Sequence, residues 1–332
     1  MRRRSVLLAL PAGLLTLAAC GGEGEGADAE ESVEATQPPQ SPQAAPTGKI
    51  VDGPLPEITE GKAFGEAPTV AKGQGEPSSD IAVQVLTAGT GATVAKGDYL
   101  QFNYLGQIWD TAKVFDSSFE RGKASVFQIG IGQLIPAWDQ VLVGKKAGSR
   151  IELGVPPAYG YGEQGQPQAG IEGDDTLVFV IDVVGTFNGK SSAQGEEKPQ
   201  DDDALPTVGT NTDGAAPAIE LPGGQPPKDL VADYVIEGDG AEVESTDAVL
   251  VQYKGVLWDG GKEFDSTYGR GQLAQFGLDG VVEGWSRGLT GKKVGSRVMI
   301  VVPPDLGYGE SGQNEIPGGA TLVFSVDILA VV

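Results

Sequence analysis

The chain has 332 residues, no histidine and one cysteine. Without an imidazole there can be no Ser-His-Asp triad, histidine proton shuttle or histidine metal site. With one thiol there can be no internal disulfide, so any fold must be held by its apolar core. Basic residues are scarce as well: 23 Lys+Arg stand against 46 Asp+Glu, a net charge of −23. That balance disfavours nucleic acid and anionic lipid surfaces, both polyanions, as partners. No cluster of metal ligands and no glycine-rich phosphate loop between a strand and a helix is found, so neither a metal nor another cofactor is expected.

The lone cysteine has an informative position. Residues 1–4 read MRRR, Ser5 to Leu17 form a short apolar core, and LAAC follows at 17–20. A basic start, an apolar core too short to span a bilayer and small residues before a cut site make a secretory signal peptide. The LAAC ending resembles a bacterial lipobox, which implies lipidation of Cys20. An ordinary signal peptide with an incidental cysteine is the plainer alternative. On the first reading the mature protein is extracytoplasmic and lipid-anchored to the bacterial cell membrane. Residues 21–63 are rich in Gly, Glu, Pro, Gln and Ala with almost no aromatics, a composition that predicts a disordered tether. Its typical reach would be about 35 Å.

Beyond the tether the chain repeats itself. KVFDSSFERG at 113–122 returns as KEFDSTYGRG at 262–271, 149 positions later. The same offset pairs Asp98 with Asp247, Tyr104 with Tyr253, and Trp109 with Trp258. Further on, VPPAYGYGE (155–163) pairs with VPPDLGYGE (302–310), and TLVFVIDVV (176–184) with TLVFSVDIL (321–329). A period this long exceeds the roughly 20–50 residues of solenoid and propeller units, and so marks a duplicated domain. The division expected is a domain at 64–187, a polar linker at 188–214 and a second domain at 215–332. The linker composition predicts loose interdomain geometry, and two tethered domains need no partner subunit, so a monomer is expected.

Within each copy the apolar period is mostly two. Leu100, Phe102 and Tyr104 alternate with Gln101 and Asn103, and Val249, Val251 and Tyr253 take the same face in copy 2. Ile151, Leu153 and Val155 correspond to Val298, Ile300 and Val302. This alternation predicts half-buried antiparallel strands. One short helical segment per copy, 134–144 and 281–291, carries Trp138 or Trp285; Pro136 suits its start, Gly144 and Gly291 its end. The fold class is therefore α+β, an antiparallel sheet packed against one helix.

The copies share a set of aromatic and aliphatic side chains with one charged pair. Copy 1 has Tyr104, Phe115, Asp116, Arg121, Phe127, Leu134, Ile135, Trp138, Tyr161, Ile171 and Phe179. Copy 2 has Tyr253, Phe264, Asp265, Arg270, Phe276, Val281, Val282, Trp285, Tyr308, Ile316 and Phe324. With the order Y-x-G, FDSS or FDST, R-G, the helix Trp, VPP, YG and TLVF, both copies resemble the FKBP-type peptidyl-prolyl cis-trans isomerase domain, over about residues 68–186 and 217–332. The resemblance implies two FKBP-like domains, each a sheet wrapped around one helix, with a pocket between them. It makes Trp138 and Trp285 the pocket floors. Tyr104, Phe127 and Phe179, with Tyr253, Phe276 and Phe324, would be walls, and Phe115 and Phe264 would flank the bound proline ring. Asp116 and Asp265 would line the pocket, ion-paired to Arg121 and Arg270. Ile135 and Val282 would offer backbone N–H groups, and Tyr161 and Tyr308 their hydroxyls.

Both copies depart from the pattern. Ser125 and Ala274 stand where a further wall aromatic is expected. Copy 1 reads IEGDDTLVF (171–179) where copy 2 keeps IPGGATLVF (316–324), and copy 2 has two fewer residues between Phe276 and Trp285. The implied function is proline isomerisation assisting the folding of exported proteins, with proline-containing polypeptides as clients and tacrolimus- or rapamycin-type macrolides as further ligands. A non-catalytic chaperone or proline-segment binding module is the alternative, and a tethered surface protein such as an adhesin is a weaker third.

Overall fold

The structure is a computed structural model that describes residues 46–332. The signal segment with Cys20, and residues 21–45 of the tether, lie outside the described residues. Copy 1 comprises β1 (Ile50–Val51), β2 (Ile58–Glu60), β3 (Thr69–Val70), β4 (Ile81–Thr87), β5 (Tyr99–Ile108), β6 (Val114–Ser117), α1 (Ser118–Arg121), β7 (Ser125–Gln128), α2 (Pro136–Val141), β8 (Arg150–Val155) and β9 (Leu177–Phe187). Copy 2 comprises β10 (Glu196–Glu197), β11 (Thr207–Val208), β12 (Ile219–Glu220), β13 (Val231–Glu237), β14 (Ala248–Leu257), β15 (Glu263–Ser266), β16 (Ala274–Gly277), α3 (Glu283–Leu289), β17 (Arg297–Val302) and β18 (Leu322–Val331). Each copy forms one seven-stranded sheet, in the order β1-β4-β8-β9-β5-β6 with β7 also on β5, and β10-β13-β17-β18-β14-β15 with β16 also on β14. All pairings in these sheets are antiparallel except β1 with β4.

The inner face of each sheet is the one that alternation marks. Leu100, Phe102 and Tyr104 share a core with Ile151, Leu153, Val155, Phe179, Ile181 and, from α2, Ala137, Trp138 and Val141. Val251, Tyr253, Ile300, Val302, Phe324 and Val326 do the same around Trp285 and Leu289. Both helices are shorter than expected. Each is preceded by an extended residue, Ile135 (φ −60°, ψ 144°) or Val282 (φ −59°, ψ 145°), and α2 starts on Pro136. Gly144 (φ +86°) and Gly291 (φ +78°) turn the chain away after the helix with a backbone that glycine tolerates best.

The first half of β5 is half-buried as alternation suggested, with Leu100, Phe102 and Tyr104 inward, but the central strands are buried on both faces. Every residue of β8 and of β17 is buried, because the outer face is covered too. In copy 1 the β2–β3 hairpin lays Ile58 and Val70 over Leu105, Trp109, Val178 and Val180. In copy 2 Ala193, Val208, Leu205, Ile219 and Leu221 cover Val235, Val256, Trp258, Met299, Val301 and Val323. Of these covering residues, Ile58 lies in the stretch expected to be tether and Ala193, Leu205 and Val208 in the stretch expected to be linker. Residues 46–63 include β1 and β2, and 188–214 include β10 and β11, so the duplicated unit begins well before residues 64 and 215. Even the indole contacts repeat: Trp109 Nε1 donates to Gly75 O at 3.4 Å, and Trp258 Nε1 to Gly224 O at 3.1 Å.

A buried ion pair locks each cover in place. Arg150 donates from Nε to Asp182 Oδ1 at 2.6 Å and from Nη2 to Asp182 Oδ2 at 2.8 Å, and both side chains are fully buried. Its remaining donors take the carbonyls of Gly61 and Glu66, while Gly65 N–H donates back to Asp182 at 2.7 Å. Arg297 and Asp327 repeat the pair, with the carbonyls of Gly209 and Asn211 and the N–H of Ala193 as outer partners. Guanidinium and carboxylate leave water at a large cost that only full hydrogen bonding offsets, so the polar covering loops are held in register by the groups they satisfy.

The expected looseness between the copies is also corrected. Val126 of β7 is buried against Leu250, Leu273, Leu329 and Ala330 of copy 2, and Lys123 ion-pairs with the buried Asp247. The segment 188–214 pairs with copy 2 through β10 on β13, with Lys198 and Lys293 both on Glu237 at 3.0 and 2.7 Å.

One buried group is at odds with its surroundings. Glu152 of β8 is 2% exposed, and its Oε1 finds no hydrogen-bond partner among the described residues. Burial pushes its carboxyl up to about 7 from 4.5. Copy 2 has Met299 here. A carboxyl whose folded pKa is raised holds its proton more tightly when folded, so its contribution favours folding below about pH 4.5 and is lost as pH rises through about 7. Glu152→Met is therefore expected to be more stable than the parent by a margin that widens by about 3 kcal/mol between those two pH values. Denaturant melts of both proteins at pH 5 and pH 8 check it; a margin that does not change with pH refutes the assignment.

Candidate active site

Each site is built where the inner sheet face meets the helix. Trp138 lies edge-on to Phe102, Tyr104 and Phe179, with ring centroids 5.1, 5.3 and 5.1 Å away and interplanar angles of 88°, 78° and 79°. Trp285 meets Tyr253, Phe276 and Phe324 at 5.2, 5.5 and 5.3 Å, at 85–88°. Edge-to-face rings bring the positive edge of one onto the negative face of another, so each floor is held in one orientation. Neither indole N–H has a partner among the described residues.

Phe115 stands edge-on to Phe179 at 5.7 Å, and Phe264 to Phe324 at 5.5 Å. The glycine of Y-x-G makes that contact possible. A Cβ on Gly106 would lie 2.6 Å from the Phe115 ring and 2.9 Å from Phe179, and one on Gly255 would lie 2.7 Å from Phe264. The turn after FDSS is tied back to β5 by Ser118, whose Oγ accepts the Tyr104 N–H at 2.8 Å; Thr267 does the same for Tyr253. That tie sets Asp116 beside Tyr104.

The charged pair joins the tyrosine in a triad on the rim. Tyr104 donates its hydroxyl hydrogen to Asp116, Arg121 ion-pairs with the same carboxylate, and Arg121 Nη2 reaches Tyr104 Oη at 3.3 Å. In copy 2 Tyr253 donates to Asp265, Arg270 Nη1 sits 2.6 Å from Asp265 Oδ1, and Arg270 Nη2 reaches Tyr253 Oη at 3.4 Å. Burial, then the bond to the carboxylate, raises the Tyr104 phenol and pushes Tyr253 up to about 12. Tyr161 and Tyr308 are raised by burial and by the charge of Asp116 or Asp265, which brings the YG tyrosines to the same rim. All four phenols therefore stay protonated at neutral pH and can donate a hydrogen bond. Ile135 and Val282 precede the first helical turn, where backbone N–H groups have no acceptor within the helix. Leu134 and Val281 pack half-buried beside them, while Ile171 and Ile316 are buried under the pocket.

One expected wall residue is elsewhere. Phe127 is 45% exposed and lies against Phe102, 6.2 Å away, rather than on Trp138. Phe102 occupies the place that Phe276 takes in copy 2, where the residue matching Phe102 is the smaller Val251. Phe102 was legible as an inner-face residue but not as a site residue, because its neighbour across the sheet decides the matter. Ser125, where an aromatic was expected, accepts a hydrogen bond from Arg121 Nη2 at 3.2 Å. The longer loop of copy 1 before its helix is organised by Asp139, which accepts the N–H groups of Gly130 and Gly132 at 2.7 and 2.8 Å. Only the length difference between the copies hinted at that.

Comparison with known proteins agrees with this geometry. The family model described as FKBP-type peptidyl-prolyl cis-trans isomerase matches residues 91–184 and again 240–329. The chain belongs to that family. A probable FK506-binding protein of Corynebacterium glutamicum is 45% identical over 114 residues, 34% of this chain and 97% of that protein. Peptidyl-prolyl cis-trans isomerase FKBP9 of Rattus norvegicus is 32% identical over 239 residues, 71% of this chain, and FKBP10 of Bos taurus is 30% identical over 257 residues, 76% of this chain. The chain spans 35% and 38% of the lengths of those two proteins. The matched regions take in β5 to most of β9 with α2, and β14 to most of β18 with α3, and the fold is two tandem FKBP-like domains.

If Phe102 holds Phe127 outward, Phe102→Val should let Phe127 turn onto Trp138 as Phe276 does on Trp285. The loss of buried ring should cost about 1–3 kcal/mol of stability. A crystal structure of the variant and its denaturant midpoint check both parts.

Proposed function

We propose that the chain is a peptidyl-prolyl cis-trans isomerase that acts on proline-containing segments of exported polypeptides. The observation that carries this reading is the twice-built pocket: an aromatic floor in edge-on packing, beside a rim in which tyrosine and arginine both donate to one aspartate. Isomerising an X–Pro bond breaks no covalent bond, and the uncatalysed barrier of about 18–20 kcal/mol is the loss of amide resonance. A planar amide is more polar than a twisted one, so an aromatic pocket with little water favours the twisted form. Binding the transition state better than the ground state is catalysis without nucleophile or base. The backbone N–H of Ile135 or Val282 and the hydroxyl of Tyr161 or Tyr308 would hold the flanking carbonyls, while Phe115 or Phe264 would press on the proline ring. Tacrolimus-type macrolides, which the Corynebacterium relative is named for binding, would fill the same pocket.

The protease-coupled assay on a proline tetrapeptide tests the reading: the full chain should accelerate isomerisation, and tacrolimus should inhibit it. Trp138→Leu with Trp285→Leu, which keeps apolar bulk, should lower kcat/KM by about a hundredfold. Because no imidazole takes part and the phenols remain protonated, kcat/KM should stay flat from about pH 6 to 9. A bell-shaped profile in that range would count against it. In the rival reading, a binding module without turnover, suppression of client aggregation would survive the double substitution.

We further propose that Cys20 is lipidated and holds the protein on the outer face of the cell membrane, supported by MRRR, the short apolar core and LAAC. Radiolabelled palmitate should enter the parent chain and not Cys20→Ser, which should be recovered in the soluble fraction.

A further inference from the structure

The two copies touch through one face each, and the contact is written into their differences. Val126 of β7 is 2% exposed against Leu250, Leu273 and Leu329, themselves 0%, 6% and 5% exposed. The matching position to Val126 in copy 2 is Gln275, and the matches to Leu250 and Leu273 in copy 1 are Gln101 and Ala124. Thus copy 1 is apolar on β7 and copy 2 is apolar on the receiving face, with no reciprocal pair. Lys123 seals one side of the contact by its ion pair with Asp247, whose counterpart Asp98 instead accepts hydrogen bonds from Thr186 and Asn188 within its own domain.

Beside this seam runs a groove of about 620 Å³, within the usual range of ligand sites. It is lined by Arg121 and Ser125, which are hydrogen-bonded at the rim of the copy 1 pocket, by Tyr99, Phe127 and Gln128, and by Gln275 and Val332 of copy 2. Lys123 also lines it, but Arg121 and Lys123 are neutralised by Asp116 and Asp247. The side chains of the groove therefore present aromatic faces and amides, with no unpaired side-chain charge among them. Amides that both donate and accept suit the main chain of an extended polypeptide, and continuity with the pocket makes that polypeptide the client.

We propose that the groove between the copies receives the uncharged, extended segment flanking the proline held at copy 1, so that Gln275 and Val332 of copy 2 belong to the client site of copy 1. This rests on the isomerase reading above.

The test uses the full chain with copy 2 silenced by Phe264→Ala and Asp265→Ala. Two substrates share one X–Pro bond: a tetrapeptide, and a dodecapeptide extended on both sides with Ser, Thr and Gln. The dodecapeptide is expected to show about tenfold higher kcat/KM, through KM. Gln275→Trp, which fills the groove, should bring the two substrates level without changing the tetrapeptide value, and Val332→Arg at the chain end should do the same. Equal values for both substrates, or a length advantage that survives both substitutions, overturns the proposal while leaving the isomerase reading intact. So does an equal loss on both peptides. No turnover of either peptide before Gln275 or Val332 is changed, and none by the parent chain, overturns both readings.

Discussion

The buried guanidinium–carboxylate pair on the outer face of each sheet is the contact on which the rest of the architecture rests. Arg150 with Asp182, and Arg297 with Asp327, sit fully out of water. Their surplus donors and acceptors can be satisfied only by backbone from the segment that crosses above them. That requirement brings residues 58–70 and 193–211 down onto the sheet. Once they are there, the outer apolar residues and Trp109 or Trp258 are covered, and the sheet is stiff enough to hold an aromatic pocket on its other side. A hydrophobic pair of the same volume could cover the surface equally well. It could not choose which carbonyls lie over it.

On the inner face the organising element is the helix tryptophan. Its neighbours are fixed by ring packing, and the rim is fixed by tyrosine, aspartate and arginine joined in one hydrogen-bonded set. The rim tyrosines are held in their protonated form and the chain has no imidazole, which matches a reaction that needs shape and dryness rather than proton transfer. The copies share the floor and the rim and differ in what surrounds them. Phe102 against Val251, Ser125 against Ala274, and Asp139 against Ser286 give one pocket an outward-turned aromatic and the other an inward one. Glu152 against Met299 places an unpartnered carboxyl in one cover and a thioether in the other.

Much of the site was legible in the amino-acid order. The offset between FDSSFERG and FDSTYGRG marked the rim, the fixed Trp marked the floor, and alternation marked the strands that carry the walls. Phe102, however, reads in sequence as one more inner-face residue, since only the pairing of β5 with β7 brings it next to Phe127. Parts of the covering segments read as tether and linker because they are polar and rich in Gly, Pro and Asp. Such composition reports what a segment cannot bury by itself, and says nothing of an apolar face supplied by residues a hundred positions away.

The sequence by itself determined the duplication, the antiparallel alternation, the shared set of aromatic and charged residues in both copies, and the absence of any imidazole, because each depends on residue type at short or regular spacing. Tertiary structure alone decided that both sheet faces are covered, that copy 1 seats Val126 on Leu250 and Leu329, and that Phe127 faces a groove shared with copy 2. Those outcomes depend on which surfaces meet, and surfaces meet only after the chain has folded.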